Sequence, residues 1–321
     1  MSSQPKMPTD SGSLIHILLA TYQGAAYLRE QLDSIAAQQH TNWMLWISDD
    51  GSKDTTWAIC ESFAAQHPNH RVHLIKGPAQ GPTANFFHLL NAVQLTQRSD
   101  LLAFADQDDV WLPEKLSRAA AALGTEAPGS NRPYLYGATT HLVDEQLRPT
   151  GLSAMPGRPL GFGNALLQNV ISGNTMVFNA ALLDRLRRIR PEHAVWHDWS
   201  AYQTATGCGG HIHFDPLPCL LYRQHDGNLV GSQGRAWDKI VRLTMLFRGQ
   251  YRDWGNKTEA AMADLNPILD KQARETLRVF SRMRHHHNPL ERLRLARTGR
   301  LWRQTAAGRA SLWLGLLFRQ I

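Results

Sequence analysis

The chain has 321 residues, 43% hydrophobic and 19% charged, an ordinary globular composition with enough apolar material for one large α/β domain or two modest ones. Its formal net charge of +7 is uneven: residues 271–321 carry 12 Lys and Arg against 2 Asp and Glu, while the rest is mildly acidic, which argues against a nucleic-acid partner for the body. The three scattered cysteines, Cys60, Cys208 and Cys219, suit a reducing compartment, the polar start MSSQPKMPTDSGS shows no secretion signal, and no run approaches the ~20 apolar residues of a spanning helix.

LIHILLA (Leu14–Ala20) is a continuous apolar run, the pattern of a strand buried on both faces. Ala25–Gln39 follows with Leu28, Leu32, Ile35 and Ala36 at helical spacing. WMLWIS (Trp43–Ser48) predicts a second strand, and Asp54–Gln66 a second helix with Asp54 at its N-cap. Val72–Ile75 reads as a third strand, Thr83–Leu95 as a third helix and LLAFA (Leu101–Ala105) as a fourth strand. Trp111 and Pro113 open a further helix, proline fitting a first turn. This alternation predicts an α/β fold with a mostly parallel sheet and helices on both faces. The chain then changes character. Tyr134–Asp144 reads as extended and Pro149–Gly163 as a Gly/Pro-rich loop. Thr175–Phe178, His211–Phe214 and Cys219–Arg223 read as short strands around helices near 180–189 and 198–206. From Gly231 onward the pattern is helical and basic.

Ligands of such sheets bind beyond the carboxyl ends of the strands. Those ends carry Thr21–Tyr22–Gln23, Asp49–Asp50–Gly51–Ser52 and Asp106–Gln107–Asp108–Asp109, which should share one edge. A strand that ends in Asp-x-Asp sends Asp106 and Asp108 to one side, because side chains alternate with period two. Hard carboxylate oxygens on a short loop suit Mg²⁺ or Mn²⁺ completed by substrate phosphates; the alternative is a solvated acidic turn capping the next helix. In SDDGSKDT (Ser48–Thr55) the acidic pair either accepts from a base or ribose or forms an ordinary β–α turn. Tyr22, in ATYQG (Ala20–Gly24), either stacks on a base or packs in the core.

In order, LLATYQGAAYLREQLDSIAAQQ, WISDDGSKDTT, GPTANF, FADQDDVWLPEKL, ISGNTMVFNAALL, WHDWSAY and YRQHDGN make the stretch from Leu14 to Gly231 resemble the inverting, nucleotide-sugar-dependent glycosyltransferases of family 2, with the GT-A fold. The DQDDVW form and the HDW–YRQH pair look most like rhamnosyltransferase-type members. The resemblance implies a Rossmann-like mixed sheet with helices on both faces. Residues 14–110 would be the nucleotide-sugar-binding half and 111–231 the acceptor-binding, catalytic half of one domain. A flexible start (1–13) would precede it and a basic helical region (232–321) follow.

The resemblance also implies roles. Ala20, Thr21 and Tyr22 would line the nucleobase pocket, with Asp50 reading the base edge, Asp49 supporting it and Asn85 on the donor side. Asp106 and Asp108 would hold Mg²⁺ or Mn²⁺ on the donor diphosphate, and Asp109 would lie near the donor sugar. Gly173 and Asn174 would form the loop below donor and acceptor, and Arg223 would neutralise diphosphate charge. Asp198 matches the catalytic base. His225 is either a further metal ligand or an ordinary loop histidine, and Trp196 and Trp199 are either an acceptor platform or core, with His197 packed beside them. His285–His287 have no partner ligand at suitable spacing.

The expected activity is transfer of rhamnose from dTDP-rhamnose, or of another sugar from a dTDP- or UDP-sugar, to a surface polysaccharide or polyprenyl-linked glycan. The expected location is the cytoplasm, peripheral on the inner face of a bacterial cytoplasmic membrane. Two other classes stay open: a metal-dependent phosphoryl or nucleotidyl transferase, although no P-loop GxxxxGK[ST] is present, and an inactive carbohydrate-binding module, against which Asp198 and the DxD pair count. The tail Asn288–Ile321 mixes arginines with an apolar face of Leu290, Leu293, Leu301 and Trp302 and ends in SLWLGLLF (Ser311–Phe318). It lies in an anionic membrane interface, or docks back on the domain or on another subunit, with nucleic acid as a third and weaker alternative.

Overall fold

The computed structural model describes residues 12–68, 71–124, 126–225 and 249–318. The expected boundary at 231/232, the start of the chain up to residue 11 and the end of the YRQHDGN motif lie outside the described residues. The first half runs β1 (Ile15–Thr21), α1 (Leu28–Ala36), β2 (Trp43–Asp49), α2 (Thr56–Gln66), β3 (Val72–Lys76), α3 (Pro82–Ala92), β4 (Leu101–Ala105), β5 (Val110–Trp111), α4 (Lys115–Leu123). There follow β6 (Tyr134–Ala138), β7 (His141–Val143), β8 (Pro149–Leu152), α5 (Phe162–Ala165), β9 (Val177–Asn179), α6 (Ala180–Leu186), α7 (His197–Gly207), β10 (His211–Asp215) and β11 (Leu220–Arg223). The helices α8 (Gln250–Leu265), α9 (Lys271–His285), α10 (Pro289–Thr298) and α11 (Ala306–Leu317) complete the described chain.

The apolar runs of β1, β2 and β4 are continuous because both faces of the sheet are covered. Ile15, Ile17 and Leu19 point to one core, with Leu28, Leu32 and Ile35 of α1 and Leu116 of α4. Leu18, Met44, Leu102 and Phe104 point to the other, with Phe86 and Leu90 of α3 and Ala201 and Tyr202 of α7. The sheet has seven strands in the order β10-β6-β9-β4-β1-β2-β3, so it continues across the 110/111 boundary. All neighbours are parallel except around β9, which runs antiparallel to both β4 and β6. The reversal brings the turn before β9 to the carboxyl edge of the parallel strands. A second sheet, β5-β11-β7-β8, carries the chain that follows the acidic loop.

Several local expectations shift. Trp111 pairs with Leu220 in β5 instead of opening a helix, because the loop must first cross to the second sheet; α4 begins at Lys115. Tyr134–Asp144 is split between two sheets at Thr139–Thr140, and part of the Gly/Pro-rich loop becomes β8. Thr55, not Asp54, is the N-cap of α2, and the Asp54 carboxylate accepts from the Thr56 N–H at 3.0 Å. All three cysteines are free.

The basic helices dock back on the body: Met262 and Leu265 of α8, Phe280 and Met283 of α9, Ala296 of α10 and Leu312 and Leu316 of α11 join the core of Leu18 and Phe104. Leu290 and Leu301 do not share a face, because α10 ends at Thr298; Leu301 is buried and Leu290 is 70% exposed. Among the described residues no helix is long and apolar enough to cross a membrane.

Candidate active site

The register places Thr21 beside Asp49 and Leu19 beside Ala105, so the ends of β1, β2 and β4 share one edge. At the β2 end every polar group has a partner. The buried Asp49 carboxylate accepts from the Thr21 hydroxyl at 3.1 Å and the Ser52 N–H at 3.1 Å. Asp50 accepts from the amides of Ala79 and Gly81, both at 2.7 Å, and so pins the loop before α3. Asn85 is buried with its amide spent on Ser48, donating to the Ser48 carbonyl at 2.9 Å and accepting from its hydroxyl. It braces β2 from α3.

The β1 end is open. Ala20 is half-buried, and Tyr22 is 58% exposed, so it is not a core tyrosine. Its peptide is gripped from the acidic loop: Gln107 accepts from the Tyr22 N–H at 2.8 Å and donates to the Tyr22 carbonyl at 3.0 Å. A Cβ on Gly24 would lie 2.3 Å from the Gln107 Oε1, so glycine there makes room for the clamp. Sequence reasoning missed Gln107. Its signal was its place inside DQDD, but its partner lies 85 residues away.

The carboxylates of the acidic loop have few partners: His225 meets Asp108 and Asn174 meets Asp109. Asp106 and Asp108 are half-buried and Asp109 is buried. The Asp106 carboxylate accepts no hydrogen bond from the described residues. Its pKa is raised to about 7 by burial, then by the charges of Asp108 and Asp198, against a small opposing pull from Lys115. Asp109 is pushed well above the carboxylate range by burial and the charges of Asp108 and Asp106; one oxygen accepts from Asn174 at 2.7 Å and the other has no partner among the described residues. Beneath them is a second residue that sequence reasoning missed. Lys115 is fully buried, its Nζ 3.2 Å from the Trp111 ring centroid with no hydrogen-bond acceptor among the described residues, and burial lowers it to about 7.

His225 Nε2 lies 2.9 Å from an Asp108 oxygen, which makes it more than an unattached loop histidine. Arg223 is a correction to the expected diphosphate contact. It is buried and donates to the carbonyls of Asp108, at 3.0 Å, and Glu145 and to the Glu30 carboxylate, with its guanidinium 4.5 Å from the Tyr27 ring centroid. It props the loop from behind.

Asp198 stands in the first turn of α7, where the helix N-terminus favours negative charge. It accepts from the Trp199 N–H at 2.7 Å and the Gly173 N–H at 3.1 Å. Burial nevertheless raises it to about 6, opposed by those bonds and one from Asn169. Gly173 permits this approach: a Cβ there would lie 2.8 Å from His197 Nε2 and 3.0 Å from the Asp198 Cβ. His197 packs as expected, but on Phe86 (centroids 3.6 Å apart) and Phe104, and burial lowers it to about 3. Trp199 is buried, donates to the Ala165 carbonyl at 2.6 Å and meets Trp254 edge-on, so it belongs to the core and not to an acceptor platform. Trp196 is half-buried at the N-cap of α7. The Tyr222 hydroxyl is pushed up by burial and by the charges of Asp106, Asp109, Asp108 and Asp198, so all four acids lie within electrostatic reach of one phenol.

This arrangement suits a divalent cation. Among the described residues no three His, Cys, Asp or Glu side chains form a ready cage, and His285 pairs with Glu259 instead. Mg²⁺ and Mn²⁺ sites, however, commonly use one or two carboxylates with substrate phosphates and water. Asp106, repelled by Asp108 and without a donor, fits that requirement.

The fold is that of the GT-A glycosyltransferases. The solved structure of S. aureus TarS in complex with UDP-GlcNAc is similar, with TM-score 0.54, 17% identity and coverage of 89% of this chain and 79% of that one. So is mannosyltransferase PcManGT from Pyrobaculum calidifontis in complex with GDP-Man and Mn²⁺, with TM-score 0.53, 16% identity and coverage of 95% and 85%. The family model Glycosyl transferase family 2 matches residues 16–181, and the chain belongs to that family. It is 30% identical over 258 residues to dTDP-rhamnosyl transferase RfbG of Shigella flexneri, covering 77% of this chain and 85% of that protein.

Proposed function

We propose that the protein is a metal-dependent inverting glycosyltransferase that moves rhamnose from dTDP-rhamnose to a surface polysaccharide or polyprenyl-linked glycan. The observation that carries this reading is the pairing of two unlike acidic groups within electrostatic reach of each other. Asp198 is a single carboxylate oriented by two backbone amides, and Asp106–Asp108 are crowded carboxylates in need of a cation. The likeness to RfbG supports the choice of donor.

Inverting transfer is one displacement at the anomeric carbon, requiring a base for the acceptor hydroxyl and an electrophile for the departing diphosphate. Asp198, half ionised near pH 6, takes the acceptor proton while the Gly173 and Trp199 amides hold its oxygens. Asp106 and Asp108, with His225 beside them, would hold Mg²⁺ or Mn²⁺, whose chemistry is to neutralise charge on the leaving nucleoside diphosphate. Exposed Tyr22 offers its ring to the base, with Ala20 and Thr21 beneath it. Asp50 keeps lone pairs beyond those used by Ala79 and Gly81, enough to accept from a base N–H, and Asp49 holds the turn. Asn174 fixes Asp109 near the donor sugar, and Trp196 borders the acceptor side.

The test is a panel of dTDP-, UDP- and GDP-sugars with Mn²⁺ and a glycan acceptor. Release of free nucleoside diphosphate, highest with dTDP-rhamnose, is the expected result. Equal release from every donor would remove the rhamnose assignment, and release of pyrophosphate or monophosphate would remove glycosyl transfer.

A further inference from the structure

α10 and α11 lie side by side and run in opposite directions. The Arg292 guanidinium donates to the Leu317 carbonyl at 3.3 Å, and that of Arg297 lies 4.6 Å from the Trp313 ring centroid. One face of α11, with Leu312 and Leu316, is buried in the core. An ordinary surface helix would be polar on the other face. Here Ala307, Ala310, Leu314, Leu317 and Phe318 stand exposed at helical spacing, and Leu290 of α10 lies at the same end of the hairpin as Leu317 and Phe318. Of the eight large apolar side chains exposed among the described residues, four are Leu290, Leu314, Leu317 and Phe318.

The rim of this face has one dominant sign. Arg294, Arg297 and Arg300 are exposed along it, and Glu291, paired with Arg294 at 3.4 Å, is the lone acid from Pro289 to Phe318. A second copy of the chain is a poor occupant, because a twofold contact would bring the same arginines against one another. An anionic lipid surface fits both parts: acyl chains accept the aliphatic stripe and phosphates accept the arginines. Trp313, half-buried under Arg297, is the residue type that sits at headgroup level. With 12 residues, α11 is about 18 Å long, too short to span and suited to lie in the plane.

We propose that the outer face of the α10–α11 hairpin docks the protein on an anionic bilayer. α11 lies in the interface with Leu314, Leu317 and Phe318 among the acyl chains and Arg294 and Arg297 on the headgroups. The surface is independent of the catalytic reading, since none of these residues belongs to the candidate active site.

The experiment is co-sedimentation of the full chain with vesicles of phosphatidylglycerol and phosphatidylethanolamine, and with phosphatidylcholine alone, with light scattering in parallel. Wild-type protein should sediment with the anionic vesicles and release at high salt. Leu314→Glu with Phe318→Glu should weaken this by roughly a hundredfold or more, since two large apolar groups no longer enter the acyl region. Arg294→Gln with Arg297→Gln should cost roughly 20- to 30-fold on anionic vesicles. Both variants alter exposed side chains and should keep the wild-type unfolding midpoint and nucleotide affinity. Three results would overturn the proposal: wild-type protein left in the supernatant, the Leu314/Phe318 variant sedimenting like wild type, or a wild-type dimer that this variant dissolves.

Discussion

Two acidic loops flank β1, one after β2 and one after β4, and they are built on opposite principles. At the β2 end, every carboxylate oxygen of Asp49 and Asp50 already accepts from a hydroxyl or a backbone amide of their own turn, of β1 or of the loop before α3. At the β4 end, Asp106 has no donor among the described residues, and Asp109 has one partner and an orphaned oxygen. Composition alone would treat the loops alike. The difference teaches that a carboxylate with a protein donor on each oxygen is held in place by the fold, whereas one left without donors against like charges has room for a cation.

The largest effect expected from testing this contrast lies at Asp198. Asp198→Asn should lower turnover by about 10²–10⁴-fold, the usual contribution of a positioned base, while nucleoside diphosphate binding measured by calorimetry stays unchanged. Loss of both together would make Asp198 a structural residue. Next comes a pair of opposite signs. Asp106→Asn should abolish Mn²⁺-dependent nucleotide binding yet leave the metal-free unfolding midpoint unchanged or higher, because it removes repulsion. Asp50→Ala should instead lower that midpoint by several degrees, since the part-buried Ala79 and Gly81 amides lose hydrogen bonds to a charged acceptor, each worth about 1.5–3 kcal/mol. Equal melting shifts in the two variants would erase the distinction between the loops.

A pH series sharpens it further. The folded state retains the Asp106 proton to about pH 7, whereas an unfolded aspartate loses it near pH 4. The folded state thus binds more protons in that window, and this group costs the metal-free protein stability as pH rises through it. A cation must displace the proton, so the Mn²⁺-induced rise in melting temperature should be larger at about pH 8 than at about pH 5.5. A rise independent of pH would argue that Mn²⁺ binds elsewhere. The smallest effect belongs to the bridge between β1 and the acidic loop. Gln107→Ala removes two exposed hydrogen bonds and should raise donor KM by roughly three- to tenfold with little change in kcat; Gly24→Ala, which crowds the same side chain, should do likewise.

Much of the fold was legible in the sequence because its signals are local. Continuous apolar runs marked β1, β2 and β4, and the polar residues at their ends marked the shared edge. What stayed hidden depends on partners far along the chain. Arg223 looks free in YRQH, but it is consumed by Asp108, Glu145 and Glu30, the last of them 193 residues away. Lys115 looks like an exposed charge at the start of a helix, yet the crossing of the two sheets buries it against Trp111. The antiparallel course of β9 could not be read from three residues, and neither could the burial of Trp199 by Trp254, a residue from the C-terminal helices. The tail showed its arginines and its grease but not their division between two faces.

The reversed strand β9 anchors one side of the candidate site to the sheet. Its ladder with β4 matches Leu101 to Asn179 and Ala103 to Val177, and one bond beyond, from the Phe104 N–H to the Met176 carbonyl, reaches the turn that holds Asp198. The acidic loop leaves from one side of this ladder and the turn from the other. The pairing register therefore fixes where the loop and the turn stand along the shared edge, since a slip by one residue would turn every side chain of β9 to the other face. Loop and side-chain changes can then reshape the surroundings of the candidate site while the turn that holds Asp198 stays tied to the sheet.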